Sequence, residues 1–119
     1  MGCFPALKEN KAFKMAYYHG KTCVSPLLVS YVRKNRTGVT RVGITVSKKV
    51  GKAVLRNRSR RVIRAAYAEL MGEVLPGYDI VFVARGRTPH VKTPAVSAVM
   101  REQLRELRVL SGNDRGSSV

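Results

Sequence analysis

From Asn10 to Ala68 the chain carries no aspartate or glutamate, yet fifteen of its 23 lysines and arginines fall in that interval. Within it, residues 48–64 read KKVGKAVLRNRSRRVIR, eight Lys or Arg in seventeen positions. Like charges at this density repel, and no nearby acid relieves them by surface pairing. The segment therefore folds only as an element that turns its cations outward together. Helical periodicity supplies one over Ala53 to about Met71. At about 100° per residue, Leu55, Val62, Ala66 and Leu70 share a stripe, with Ile63 at its margin and Ser59 in its path. Arg56, Asn57, Arg60, Arg61 and Arg64 lie opposite, and Arg58 lies towards the stripe's far edge.

A cationic face without acids calls for a polyanion, and nucleic acid is the first candidate. The whole chain agrees, with a net charge of +16 over 119 residues. Solvated helix faces usually mix signs at i and i+4, as Glu102 and Glu106 do beside Arg101, Arg105 and Arg108. Arginine is also favoured over lysine here, which suits bidentate phosphate contacts and stacking on bases. A membrane surface fits less well, because such binders pair a basic face with an apolar face free to insert. No apolar run approaches the roughly 20 residues that span a bilayer. The start, MGCFPALKENK, is not a secretory signal, and Ala6 stands where a myristoylation motif wants Ser or Thr. Cys3 and Cys23 match no metal-ligand spacing and read as reduced thiols in a cytoplasmic protein.

Along the chain, Asn10 reads as the N-cap of a short helix closed near His19-Gly20. Thr22 to Val32 reads as extended and is interrupted at Ser25-Pro26, and Val42 to Val46 alternates as a half-buried strand. Asp79 to Ala84 is apolar on both faces, so it belongs inside a sheet, paired with Val42–Val46 through a strand–helix–strand crossover. A polar loop from Arg85 to Lys92 leads to a helix capped by Thr93-Pro94, with Val96, Val99, Met100, Leu104 and Leu107 as its stripe. The expectation is one α+β domain over residues 1–110, RNA-binding, and a disordered tail over 111–119.

Lys48, Lys49 and Lys52 surround Gly51 in the turn entering the basic helix, whose N-terminus adds partial positive charge. Asn57 both donates and accepts, so it suits a base edge or a 2′-hydroxyl. Phe13 and Tyr17, four apart, share a helix face and suit either a stacking platform for single-stranded RNA or the packing of that helix on the sheet. The seven acids form no recognisable metal cluster, and His19 and His90 stand isolated, so catalysis by the protein itself is not expected.

The string SKKVGKAVLRNRSRRVIRAAY, Ser47 to Tyr67, resembles the arginine-rich RNR signature of the bacterial ribonuclease P protein subunit family. SPLLVSYV, RVGITVSKK and LPGYDIVFVAR agree, so the resemblance covers roughly residues 7–110. It implies a sheet of about four strands with three helices, a ribosomal-protein-like topology and a left-handed β-α-β crossover. It implies that Lys48, Lys49, Lys52, Arg56, Asn57, Arg58, Arg60, Arg61 and Arg64 form an RNA-binding region that docks on a catalytic RNA. It places Phe13, Tyr17, Tyr31 and Ser47 in a cleft for the 5′ leader of precursor tRNA, with Lys48, Lys49 and Arg56 at its edge. The RNA subunit would cleave the phosphodiester using Mg2+, held mainly by RNA and substrate, with no organic cofactor and no obligate protein partner. Two alternatives stand beside this one: a non-enzymatic RNA-binding protein of ribosomal type, and an independent nuclease.

Overall fold

A computed structural model describes residues 4–111. The chain runs α1 (Asn10–His19), β1 (Lys21–Val24), β2 (Leu28–Lys34), β3 (Arg41–Thr45), α2 (Ala53–Leu70), β4 (Tyr78–Ala84) and α3 (Thr93–Glu106). Short 3-10 turns at Lys48–Val50, Met71–Glu73 and Thr88–His90 join the later elements. The four strands form one sheet in the order β1-β2-β4-β3. β2 pairs antiparallel with β1 and β4, whereas β3 pairs parallel with β4. The expected crossover is therefore present, with α2 carrying the chain from β3 to β4.

β4 lies between β2 and β3, which explains why it is apolar on both faces: Ile80, Val81 and Phe82 have no exposure. One face, with Leu28, Val32, Val42, Ile80 and Phe82, meets Val62, Ile63, Ala66 and Leu70 of α2 and Val96, Met100 and Leu104 of α3. The other face is covered in part by α1, where Leu7, Ala16 and Val81 form a smaller cluster with Phe13 and Tyr31 against it. This second layer corrects the half-buried reading of β3. Val42 is buried as expected, but so is Gly43, because Phe13 and Leu7 pack onto it.

Local boundaries differ in instructive ways. Glu9 is the N-cap of α1 and makes no side-chain capping bond, so Asn10 is the first helical residue rather than the cap. Lys52, not an Asx or Ser residue, precedes α2, and Lys92 takes the N-cap position of α3, with proline in the first turn. On α2 the buried stripe is Ser59, Val62, Ile63, Ala66, Tyr67 and Leu70, while Leu55 in the first turn is only half-buried. Ser59 is accommodated because its hydroxyl donates to the Leu55 carbonyl at 2.9 Å. After α3, Val109 and Leu110 are buried as well, and Leu110 bridges to Val74. Beyond Ser111 the expected tail lies outside the described residues, as does Cys3.

Candidate nucleic-acid interface

The entry to α2 is built from backbone that side chains do not complete. Lys48–Val50 makes one 3-10 turn, with Ser47 at its N-cap and Gly51 closing it at φ 139°, a conformation that favours glycine. Neither Ser47 nor Lys52 makes a side-chain capping bond, and the first turn of α2 holds no acid. Ser47, Lys48, Lys49 and Lys52 are all exposed there. The positive end of α2 and three exposed lysines thus concentrate positive charge at this turn.

Further along α2, Asn57, Arg60, Arg61 and Arg64 line a shallow depression of about 500 Å3, and all four are exposed. Arg60 Nη1 approaches Asn57 Oδ1 at 3.4 Å. Arg56 is half-buried. Arg58 is set apart from this group. Its Nε donates to the Pro89 carbonyl, which ties the start of α2 to the 3-10 turn after β4. Of the nine residues expected on the basic face, Arg58 thus makes a contact within the fold, although it too is exposed. Its position at the stripe's edge was the available signal.

Across β3 stands the aromatic group. The Tyr17 and Tyr31 rings meet edge to face with centroids 4.9 Å apart, and the Tyr17 hydroxyl shares a 3.0 Å hydrogen bond with Thr45 Oγ1. Thr45 ends β3 two residues before Ser47, so this pair stands beside the lysine turn. Tyr17 is 37% exposed, whereas Phe13 is half-buried with its ring over Gly43. The two α1 aromatics are thus placed differently. Phe13 chiefly packs the helix onto the sheet, and Tyr17 offers an accessible ring.

A groove of about 400 Å3 lies between Phe13 and the arginines of α2. Phe13, Leu7 and Gly43 contribute apolar surface, and Arg60 and Arg64 contribute charge. Sequence reasoning missed its outer wall, the segment around Pro5–Leu7 that hydrogen-bonds along β3: Val42 N–H donates to Pro5 O at 3.0 Å and Leu7 N–H to Val42 O at 2.9 Å.

Three of the described carboxylates have partners within the fold. Asp79 is held by Arg41 (3.0 Å) and Asn35 (2.8 Å), Glu73 pairs with Arg101 (2.7 Å), and Glu106 accepts from the Cys23 thiol (2.9 Å). Among the described residues no three His, Cys, Asp or Glu side chains gather to hold a metal ion. His19 and His90 are both exposed. Nor is any helix of the described residues long and apolar enough to cross a membrane.

These features define a class: a small α+β protein, one four-stranded mixed sheet with a cationic helix as its parallel crossover. Within that class, the chain belongs to the ribonuclease P protein family, whose model, described as Ribonuclease P, matches residues 4–108. It is similar to the ribonuclease P protein component of Clostridioides difficile strain 630, 52% identical over 80 residues (66% of this chain and 70% of that one). The component from Thermoanaerobacter sp. strain X514 is 36% identical over 92% of this chain and 94% of its own length. Among solved structures, the Staphylococcus aureus RNase P protein superposes with a TM-score of 0.78 at 29% identity, covering 92% of this chain and 99% of that one. The Thermotoga maritima protein gives 0.70 at 30% identity, over 89% and 94%. Membership makes the chain a protein component of a tRNA-processing endoribonuclease.

Proposed function

We propose that the chain binds the catalytic RNA of ribonuclease P through α2 and holds the 5′ leader of precursor tRNA beside β3. Lys48, Lys49, Lys52, Arg56, Asn57, Arg60, Arg61 and Arg64 meet RNA, while Tyr17 and Tyr31 offer rings on which leader bases stack, Phe13 forms the floor and Ser47 lies at the margin. Stacking of this kind contributes roughly 1–3 kcal/mol per base and tolerates any sequence. The chemistry belongs to the RNA, with Mg2+ held by RNA and substrate, and the protein screens repulsion between the two RNAs and positions the scissile bond. It works in the cytoplasm, where precursor tRNA is made. The observation that carries this reading is the junction at the end of β3, where a carboxylate-free cationic turn adjoins the Tyr17–Tyr31 pair, of which Tyr17 is exposed and Tyr31 half-buried.

The test is reconstitution at low magnesium with precursor tRNA. Cleavage that needs both the protein and a ribonuclease P RNA is expected, and cleavage by the protein alone would overturn the assignment of chemistry. Tyr17→Ala is expected to weaken leader-bearing substrate about five- to fiftyfold, on the scale of one stacked base, while mature tRNA is unaffected. Equal loss for both would remove the leader from this cleft.

A further inference from the structure

Outside α2, a second set of cations surrounds one concavity of about 350 Å3. His19 at the end of α1, Lys21 opening β1, Arg33 and Lys34 closing β2, and Arg108 after α3 line it, with Tyr78 of β4 in the wall. It lies at the other end of the sheet from the lysine turn. Lys34 pairs with Tyr78, the first residue of β4, whereas Thr45 pairs with Val83, close to its last. Five residues of strand at about 3.3 Å each separate the two ends.

Two observations argue that these side chains serve a ligand. First, among the described residues none of the five forms a salt bridge. Asp79 stands directly opposite Arg33 in the β2–β4 ladder, but both its oxygens are taken by Arg41 at 3.0 Å. Second, Arg108 occupies a position made for glycine. α3 ends with Val109 N–H donating to Leu104 O and Arg108 N–H to Arg105 O, both at 3.0 Å, the pattern of a Schellman motif. The left-handed residue of that motif is Arg108 at φ 64°. Its Cβ disfavours this conformation, and such strain persists where the side chain has a use. The dipole of α3 attracts a cation at its end, but that does not account for Lys21, Arg33 and Lys34, which lie on strands.

We infer that this concavity is a second phosphate-binding site, taking a segment of RNA backbone other than the one held on α2. The identity of the polyanion rests on the function proposed above. Arg33 and Arg108 supply forked donors for phosphate oxygens, Lys21 and Lys34 supply point charges, and Tyr78 supplies a ring edge. The protein then bridges two RNA segments across the length of its sheet.

The experiment measures binding of the full chain to ribonuclease P RNA, with and without precursor tRNA, between 50 and 300 mM salt. The double variant Lys21→Gln/Lys34→Gln is expected to bind about three- to thirtyfold more weakly at 150 mM. Its log-log salt slope should be shallower by about 1.4–1.8, since each phosphate contact contributes about 0.7–0.9. Arg108→Gly is expected to weaken RNA binding while holding or raising Tm, a combination that a purely structural arginine would not give. Arg60→Gln/Arg61→Gln on α2 serves as the reference. If it weakens binding while the Lys21/Lys34 variant leaves affinity and slope unchanged, the second site is overturned and the α2 reading stands. If neither variant alters binding, the RNA-binding reading itself fails, and this inference with it.

Discussion

Gly43 and Phe13 show how one missing side chain sets the position of a helix. A Cβ at Gly43 would lie 2.5 Å from Phe13 Cζ and 3.3 Å from Leu7 Cβ, so α1 packs at this depth only over glycine. Gly43→Ala should destabilise the fold by about 1–3 kcal/mol, the scale of overpacking, measured as a lower urea midpoint with unchanged slope. Cys23 illustrates the opposite case, a side chain quieted by its surroundings. Burial first, and then the Glu106 carboxylate beside it, push its thiol up to about 11. The thiolate is the reactive form, so at pH 8 Cys23 should alkylate about a hundredfold more slowly than an ordinary thiol. Peptide mass mapping after timed iodoacetamide treatment reads this directly, and Glu106→Gln should speed the reaction. A rate equal to that of a free thiol would show that neither influence operates.

α3 is fastened to the sheet by polar groups as well as by its apolar stripe. Gln103 is buried, accepts from Ser30 Oγ at 2.6 Å and donates to the carbonyls of Leu28 at 2.8 Å and Cys23 at 3.3 Å. Gln103→Leu keeps the volume but leaves the Ser30 hydroxyl and the Cys23 carbonyl without this partner. The expected cost is about 2 kcal/mol, and hence a fall in Tm on the order of 10 °C. An unchanged Tm would mean that the surroundings resupply those bonds. The stripe itself was legible, since Val96, Met100 and Leu104 recur at helical spacing and are fully buried. Gln103 was not, because a lone polar residue beside a stripe reads as its margin until the facing strand is known. The Arg58 contact was hidden for the same reason. Its carbonyl partner on Pro89 lies 31 residues away in sequence, and no local pattern links them.

At the scale of the molecule, a net charge of +16 means that assembly with RNA releases many counterions. With about eight phosphate contacts, affinity should fall by roughly three to four powers of ten between 50 and 200 mM salt, and a nearly flat response would exclude phosphate docking. The sequence by itself determined the element order, the amphipathic α2 and its acid-free face, because helical periodicity and like-charge repulsion act between near neighbours. The ordered string from Ser47 to Tyr67 also carried the family. Only the tertiary structure decided the rest, since it depends on which distant segments meet. It placed β4 between β2 and β3, buried Gly43 under Phe13, and assigned Arg58 to Pro89. It also gathered His19, Lys21, Arg33, Lys34 and Arg108, from three elements and the segment after α3, into one concavity. Scattered along the chain, those five residues form no run and no period. The sheet alone makes them neighbours.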